Sequence, residues 1–419
     1  MTAYLQTQST LQEISRRRFV GGVLGAAASA TLLADGGAIQ AEPDVAPAAV
    51  AGRKLKLGVV GNGGRGRWIS TLFKEHGGFE IYAVADYFQR NADACGDLFG
   101  VDKSRRFDGL SGYKKLIESG VEAIAVITPP YAIPEIATAG AAAGLHCYLA
   151  KPVAVDVPGC LQIGAAGKTA AQKQRVFLVD YQIPTDPQNI AVRDAVRQGN
   201  AGKLARLQTI GISGGSDDVP KGPTIENLLE HAIWNYHIAL SGGWNVSYDI
   251  HAIDAAVWLL GQVPVAATGY SRIVRPDPHS DAAAVTSTIF EYADGLIHEH
   301  FGQALPDHAQ QELNCKAYSY NARAFVEYWG NALFQVRGQK PLGGPVKDLY
   351  PAGAKRNIAA FHQAIVHGDY GNETAQRSVD STLTAILGRE AAARRTRLTM
   401  DELMKENRRI EADLRGLKQ

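Results

Sequence analysis

The sequence predicts an α/β protein in which a doubly wound parallel sheet precedes an α+β domain with an open, mainly antiparallel sheet. Up to about residue 183, short apolar runs alternate with helix-compatible segments, which is typical of a parallel sheet covered by helices. From residue 204 onward, strand-like runs follow one another with turn signals between them. We therefore expect an N-terminal segment at 1–53, a first domain at 54–183 and a second at 184–419, whose last helices pack back on the first domain.

Composition excludes several classes of function. The chain has 419 residues, enough for two domains, and its 46% hydrophobic and 20% charged residues are normal for a soluble globular protein. A formal net charge of +1 argues against a nucleic-acid binder, so we expect no nucleic-acid partner. The four cysteines contain no CxxC pair, which argues against a disulfide framework or a cysteine metal site.

The N-terminus has the pattern of an export signal. Ser15–Val20 contains an arginine pair, small and apolar residues follow up to Leu33, and Ala41 is a suitable cleavage position. This pattern is typical of a twin-arginine signal, and the apolar run is too short for a comfortable membrane span. We therefore expect a periplasmic protein with no membrane span after processing. An N-terminal extension with accidental arginines is the alternative.

A glycine-rich loop follows the first apolar strand, which runs from Lys54 to Gly61. The first glycine of such a loop permits a tight turn, the second lets a pyrophosphate approach the backbone, and the third lets helix and strand pack closely. The free N–H groups of the following helix then bind phosphate. This predicts a Rossmann domain with a dinucleotide on the loop Gly61, Asn62, Gly63, Gly64, Arg65 and Gly66.

Asp86 ends the second predicted strand, Phe79 to Ala85. An acid in that position accepts hydrogen bonds from both ribose hydroxyls and repels a 2′-phosphate, so NAD is the expected cofactor. Arg90 lies close enough in sequence to weaken this preference, and a helix cap is the alternative role for Asp86. The ends of later strands carry Thr128, Pro129 and Lys151, which we also assign to the cofactor because ligands bind at the carboxyl edge of such sheets.

These motifs together resemble the glucose–fructose oxidoreductase / inositol dehydrogenase superfamily (Gfo/Idh/MocA). The resemblance covers nearly all of the chain after residue 54. Besides the glycine loop, it depends on the turn at 128–130, the segment 144–152, the motif Asp249-Ile-His251-Ala-Ile-Asp254, and two stretches near 357 and 383. It implies an NAD-dependent oxidoreductase and a catalytic Lys151. The family usually has Glu-Lys-Pro where this chain has Ala150-Lys151-Pro152.

His251 is the expected general acid or base, because its ordinary pKa suits proton exchange with a sugar hydroxyl. Tyr248 could assist it. Family members often carry an acid at the position of Ser247, which would share a helix face with His251 while Asp249 points away. A core histidine is the alternative for His251, and a solvated strand-end charge is the alternative for Lys151.

Aromatic residues precede this motif and could stack on a sugar. We assign substrate contacts to Gln182, Trp234, Tyr236, Trp244 and Asp249, with core packing as the alternative for the aromatic residues. His298 and His300 alternate on a strand and could share one face, but no third ligand is evident by spacing, so no metal is expected. The final stretch, Thr399 to Gln419, is predicted to be a charged amphipathic helix.

The leading functional prediction is an NAD-dependent oxidoreductase that acts on a sugar or glycoside hydroxyl with a tightly bound nucleotide. One alternative is a redox-neutral glycosidase that uses bound NAD transiently. Another is a non-catalytic carbohydrate-binding protein, which is favoured by the absence of the family's acidic residues at Ala150 and Ser247. The resemblance also implies a homo-oligomer.

Overall fold

The computed structural model describes residues 53–214, 222, 224–275, 281–307 and 309–419. The predicted export signal lies in residues 1–52, outside this part of the chain, and stays a prediction.

The first domain is built on a six-stranded sheet in the order β3-β2-β1-β4-β5-β6, and every pair of neighbours is parallel. Its strands are β1 Leu55–Val60, β2 Phe79–Asp86, β3 Arg106–Asp108, β4 Ala123–Val126, β5 His146–Leu149 and β6 Phe177–Val179. The strand order reverses between β1 and β4, which is where dinucleotides bind in such sheets. The predicted Rossmann architecture is confirmed.

Helices cover both faces of this sheet, so β4 and β5 are buried along their whole length. The helices are α1 Gly64–His76, α2 Gln89–Phe99, α3 Gly112–Glu118, α4 Ile133–Ala142 and α5 Val157–Gln172, followed by α6 Pro187–Arg197. The sequence did not predict β3, α2 or α3. The strand β3 has three half-buried residues, two of them charged, so it carries no apolar run that would reveal it.

The second domain contains an eight-stranded sheet in the order β14-β12-β11-β7-β10-β9-β8-β16. The strands are β7 Leu204–Ser213, β8 Ala266–Arg272, β9 Val285–Glu291, β10 Ile297–Ala304, β11 Glu312–Ser319, β12 Ala322–Glu327, β14 Leu333–Val336 and β16 Leu398–Thr399, with β13 Gly330–Asn331 and β15 Pro345–Val346 in a separate pair. Only the contact of β7 with β10 is parallel among these described strands. The predicted mainly antiparallel sheet is confirmed, and β12, β14 and β16 are additions to it.

Helices cover one face of this second sheet. The helices that pack on it are α6 and two of the later helices, Ile250–Leu260 and Thr374–Arg394. In chain order the helices after α6 are α7 His231–Trp234, α8 Ile238–Ser241, α9 Trp244–Ser247, α10 Ile250–Leu260, α11 Leu349–His367, α12 Thr374–Arg394 and α13 Met400–Glu406. Helix α10 is buried on all sides except at its last residue. Helices α11 and α12 reach the first domain, since Asn357 Nδ2 donates to Asp180 Oδ1 at 2.8 Å and Thr374 Oγ1 accepts from the Val179 amide at 3.0 Å. No helix in the described ranges has both the length and the apolar character needed to cross a membrane.

The C-terminal stretch differs from the predicted long helix. Its helical part is only α13, because Asn407 adopts a left-handed conformation with φ of 41° and ends the helix. The remaining residues lie along the first domain instead. The Ile410 amide donates to Asp156 Oδ2 at 2.8 Å, and the Leu110 amide donates to the Lys418 carbonyl at 2.9 Å. These backbone contacts replace the helical hydrogen bonds that the charge pattern suggested.

Candidate active site

A cleft of about 1140 Å³ opens at the carboxyl edge of the parallel sheet and extends to the second domain. Most of the predicted site residues line it: Gly61, Gly63, Gly64, Arg65, Gly66, Asp86, Thr128, Pro129, Lys151, Gln182, Trp234, Trp244, Tyr248 and His251. Residues almost 200 positions apart therefore meet in one place, because the carboxyl ends of parallel strands share an edge and the second domain covers that edge.

Three predicted residues lie outside the cleft wall. Asn62 is fully buried, and its side-chain Nδ2 donates to the Ala85 carbonyl at 2.7 Å, so its side chain fixes the loop to β2 and does not reach a ligand. Tyr236 is 2% exposed and lies behind Trp244, with a ring-centroid distance of 6.2 Å. Asp249 is 1% exposed and points into the second sheet toward His300. The proposed ligand contacts of these three side chains are corrected accordingly.

The glycine loop has the shape that a pyrophosphate needs. Gly61 has a φ of 90°, and a Cβ there would lie 2.4 Å from the Ile127 carbonyl oxygen, so only glycine fits. A Cβ on Gly66 would lie 1.9 Å from the Gly61 carbonyl oxygen, which shows how closely α1 approaches β1. By contrast, no described atom lies within 4 Å of a Cβ built on Gly63 or Gly64. The space above these two residues is open to the cleft, and the α1 N-terminus points its amides there.

Asp86 is oriented by three local donors. Its Oδ2 accepts from the backbone amide of Asn62 at 2.6 Å. Its Oδ1 accepts from the backbone amide of Phe88 at 2.9 Å and from the side-chain Nδ2 of Asn91 at 3.1 Å. A carboxylate accepts about four hydrogen bonds, so capacity remains for a ribose hydroxyl. The helix-cap alternative is not what the structure has, because Phe88 is the N-cap residue of α2 and has no side-chain cap bond.

Arg90 forms an ion pair with a residue of the second domain. Its guanidinium pairs with Glu230 at 2.5 Å and lies 4.1 Å from the centre of the Phe88 ring. Glu230 lines the cleft, whereas Arg90 does not. The arginine that could otherwise bind a 2′-phosphate thus faces a carboxylate, which agrees with a preference for NAD.

Lys151 follows β5 and points its ammonium at the second domain. Its Nζ donates to the Ser247 carbonyl at 2.8 Å. Burial, reinforced by the positive charge of Arg65, lowers the pKa of Lys151 to about 7, although Asp180 and Asp249 oppose this shift. An amine with such a pKa exchanges a proton readily at neutral pH.

A buried carboxylate that sequence reasoning did not select lies beside Lys151. Asp180 is completely buried, its Oδ2 binds Arg65 at 2.7 Å, and its Oδ1 accepts from Gln182 Nε2 and Asn357 Nδ2. Burial disfavours the charge of Arg65, but Asp180 and Tyr350 keep its pKa above the ordinary value. Because Asp180 directly follows β6, the strand-end rule that selected Lys151 also marks this position.

His251 lies at the start of α10 and is 8% exposed. Burial, with the charges of Lys151 and Arg65, holds its pKa well below the ordinary value, so the ring is neutral at physiological pH. Its Nδ1 has no hydrogen-bond partner among the described residues. The ring packs edge-on against Tyr328, with centroids 5.3 Å apart. A neutral imidazole of this kind can accept or donate one hydrogen bond to a ligand.

Aromatic side chains line the rest of the cleft. The Trp244 and Tyr248 rings stack with centroids 5.3 Å apart, and the indole Nε1 of Trp244 is buried without a partner in the described part of the chain. The Tyr248 hydroxyl donates to the Ile212 carbonyl at 3.2 Å, and burial raises its pKa, so it is not a proton acceptor. Tyr328, Trp329 and Tyr350 also line the cleft, and the sequence did not mark them because they lie beyond the motifs.

Comparison with known proteins agrees with this geometry. Residues 55–181 match the GFO_IDH_MocA family, described as an oxidoreductase family with an NAD-binding Rossmann fold. This match covers the nucleotide-binding domain of the chain. The inositol 2-dehydrogenase of Rhizobium meliloti (strain 1021) is 24% identical over 243 residues, which are 58% of this chain and 66% of that enzyme. The inositol 2-dehydrogenase of Paracoccus denitrificans (strain Pd 1222) is 24% identical over 345 residues, 79% of this chain and 92% of its own.

Solved structures share the fold over both domains. A levoglucosan dehydrogenase in complex with NADH and levoglucosan superposes with a TM-score of 0.67 at 16% identity, covering 84% of this chain and all of that one. The predictions of an NAD cofactor and of an oxidoreductase are confirmed by the family match.

Proposed function

We propose that this chain oxidises a ring hydroxyl of a sugar, a glycoside or a related polyol, using an NAD that stays bound between turnovers. One observation carries the proposal: Lys151 and His251 line the same cleft as the glycine loop, and both have pKa values lowered toward or below neutrality. The relatives support the substrate class, since they are named for inositol and levoglucosan.

The two residues divide the work on the substrate hydroxyl. When bound, NAD supplies the hydride acceptor for the carbinol carbon. The neutral amine of Lys151 takes the hydroxyl proton, and the Ser247 carbonyl holds the resulting ammonium by accepting from Nζ at 2.8 Å. The neutral ring of His251 hydrogen-bonds to the same oxygen and fixes its orientation. Tyr248 contributes its ring to the wall, because its hydroxyl is occupied by the Ile212 carbonyl.

The aromatic wall supports a sugar ring as the substrate. Trp234, Trp244 and Trp329 line the cleft together with Tyr248. Aromatic faces pack on the apolar C–H faces of pyranosides, and the unpartnered Trp244 Nε1 offers a donor to a hydroxyl. Gln182 is 1% exposed and already bonded to Asp180, so it orients the base of the cleft and is not a primary sugar ligand.

Export before use would explain a retained nucleotide. The pattern in Ser15–Val20 supports a twin-arginine signal, which is associated with cargo that folds before it crosses the membrane. A periplasmic enzyme has little free NAD available, so its nucleotide would be loaded in the cytoplasm and regenerated in place by a second sugar or an external acceptor. Cell fractionation of the full-length chain and of an Arg16→Lys/Arg17→Lys variant tests this: the variant should remain cytoplasmic.

An exposed apolar face supports a homo-oligomer. Tyr270, Ile289, Ile297 and Phe301 lie on the side of the second sheet that the helices leave uncovered, and each is 38% to 66% exposed. Ser287 pairs with both Tyr270 and Phe301, so these two side chains flank Ser287 on the same face of the sheet. An apolar face of this kind is typical of a subunit interface.

The activity test uses protein purified without its signal. Mass spectrometry should detect co-purifying NAD, and a panel of pyranosides and inositols should change the nicotinamide fluorescence. A chromogenic glycoside that releases its aglycone without net NADH would replace this proposal with the redox-neutral glycosidase. Sugar binding with neither response would replace it with a carbohydrate-binding protein.

A further inference from the structure

A line of polar side chains crosses the buried face of the second sheet and ends beneath the cleft. His298 Nε2 and His300 Nδ1 both contact the Thr209 hydroxyl, at 2.7 and 2.9 Å, and His300 Nε2 contacts Asp249 Oδ2 at 3.2 Å. The far end of the line is Tyr292, whose hydroxyl lies 3.4 Å from His298 Nδ1. Thr209, His298, His300 and Asp249 are at most 2% exposed.

The direction of these hydrogen bonds can be assigned from the partners. If Asp249 is ionised and the His300 ring is neutral, His300 donates from Nε2 and accepts at Nδ1 from the Thr209 hydroxyl. The Thr209 oxygen then accepts from His298 Nε2, and His298 Nδ1 accepts from Tyr292. Every donor points toward Asp249, so the line stabilises the carboxylate in its charged form. The pKa of His298 lies well below the ordinary value because of burial, which agrees with a neutral ring.

Two glycines make room for this carboxylate. Gly211 and Gly302 are paired across β7 and β10. A Cβ on Gly211 would lie 2.2 Å from Asp249 Oδ1, and a Cβ on Gly302 would lie 2.0 Å from Oδ2. The sheet is therefore shaped to accept the Asp249 side chain. Among the described residues, the ion-pair partner of Asp249 is His300, and no lysine or arginine lies within ion-pair distance of its carboxylate.

Asp249 is related to Lys151 in two ways: its charge favours the protonated amine, and it lies close in sequence to the residue whose carbonyl binds Lys151 Nζ. Four charged or titratable groups face Lys151: Arg65, Asp180, Asp249 and His251. Asp180 and Asp249 both favour a protonated Lys151, but Asp180 also pairs with Arg65, whereas Asp249 has His300 as its ion-pair partner. Asp249 faces His300 and Asn245 besides Lys151, and burial raises its pKa to about 6, so it is mostly ionised at neutral pH. It also lies two residues after Ser247, whose carbonyl binds Lys151 Nζ.

We propose that the buried Asp249–His300 pair raises the proton affinity of Lys151, which makes His300 a positioning residue of an active site that it does not line. The consequence for turnover rests on the proposed function, whereas the effect on Lys151 does not. Without the His300 donor, Asp249 takes up a proton at neutral pH, its negative charge disappears, and Lys151 holds its own proton less tightly.

The test measures the titration of Lys151 directly. Protein labelled with ¹³C at the lysine ε-carbon is titrated by NMR, and the Lys151 resonance is assigned by its loss in Lys151→Met. His300→Phe and Asp249→Asn should lower the Lys151 midpoint by about one pH unit, as expected for a nearby buried charge. His300→Gln keeps a donor near the Nε2 position and should restore the midpoint. Circular dichroism and thermal unfolding report whether each variant is folded.

His298→Phe is the matched control, because His298 is equally buried on the same strand but two hydrogen bonds farther from Asp249 than His300 is. Its Lys151 midpoint should move much less than that of His300→Phe. The inference is overturned if neither His300→Phe nor Asp249→Asn moves the midpoint, or if His298→Phe moves it as much as His300→Phe does. If His300→Phe does not fold, Asp249→Asn decides alone. A shifted midpoint in a protein that oxidises no sugar would defeat the proposed function and leave this inference standing.

Discussion

The ammonium group of Lys151, at the end of the fifth Rossmann strand, donates to the backbone carbonyl of Ser247 in the second domain at 2.8 Å. The bond joins residues 96 positions apart and depends on no particular side chain at position 247. The serine that replaces an expected acid therefore still contributes a partner for Lys151. The Nζ atom of Lys151 is therefore positioned by both domains and has this geometry only when both are folded.

Lys151→Met should abolish proton removal while leaving the nucleotide in place. Loss of a general base costs about 10²-fold or more in kcat, and we expect a loss of this size. The measurement is kcat on the best substrate, together with the NAD content by mass spectrometry. Lys203→Met, an exposed lysine before β7, is the control and should retain full activity. Equal activity in the two variants would remove Lys151 from the mechanism.

The pH profile of oxidation should report the lowered pKa of Lys151. Only the neutral amine accepts a proton, so kcat/KM for alcohol oxidation should rise with pH through about 7 and then level off. The His251 ring is already neutral over this range and adds no limb. The reverse reduction needs the protonated amine and should decline over the same interval. A profile for oxidation that falls between pH 6 and 8 would contradict this assignment.

Alanine substitutions at two glycines of the loop should impair different properties, namely stability and NAD binding. Gly66→Ala places a methyl group 1.9 Å from the Gly61 carbonyl oxygen, and we expect it to cost more than about 2 kcal/mol of unfolding free energy. Gly63→Ala meets no described atom within 4 Å and has a φ of −64°, so its stability should change by no more than about 1 kcal/mol. Its methyl group nonetheless enters the space above the loop. Calorimetry and NAD titration should show stability loss in the first variant and weaker NAD binding with little stability loss in the second.

Nucleotide preference should depend on Asp86 and on Glu230. Asp86→Ala removes the ribose acceptor and should weaken NAD binding by about tenfold. Glu230→Gln releases Arg90 from its 2.5 Å ion pair, so Asp86→Ser/Glu230→Gln should gain NADP affinity relative to NAD. Adding Arg90→Gln to that double variant should cancel the gain. Titration calorimetry with both nucleotides measures these ratios, and an unchanged ratio in the double variant would exclude Arg90 as the phosphate partner.

The apolar face of the second sheet should mediate self-association. We expect light scattering after gel filtration to give a dimer or tetramer, and Ile289→Lys combined with Phe301→Glu to give a smaller species. Both side chains are more than a third exposed, so the substitutions should leave the subunit folded. Tyr320→Glu is the control, since Tyr320 is completely exposed on a turn outside this face. A monomeric unmodified chain would refute the proposed interface.

Much of the fold could be read from local patterns. The strands β1, β2, β4 and β5 appear as apolar runs because both sheet faces are covered, and their ends align the ligand positions. The strand β3 and the short C-terminal helix α13 could not be predicted in this way. The strand β3 is held by its pairing with β2, and the residues after α13 are held by tertiary contacts such as the Ile410 amide with Asp156, which leave no periodicity in the sequence.

In the candidate site, too, some residues could be predicted from the sequence and others could not. The strand-end rule and the family motif selected Lys151 and His251, and both line the cleft. The same reasoning assigned Asp249 to the substrate, whereas its carboxylate lies between Gly211 and Gly302 on the far side of the turn. Sequence spacing gives the direction of a side chain only within a regular helix, and here α9 ends at Ser247 before α10 begins at Ile250.

The sequence by itself determined the Rossmann domain, its glycine loop and the selection of Lys151 and His251 as site residues, because each follows from local composition, turn geometry, position at a strand end or the family motif. Only the tertiary structure decided which partners surround them. The pairing of Asp180 with Arg65, the Glu230 contact of Arg90 and the buried line from Asp249 to His298 join residues far apart in the chain. Their pKa values and orientations depend on burial and on neighbouring charges, which exist only once the two sheets have packed together.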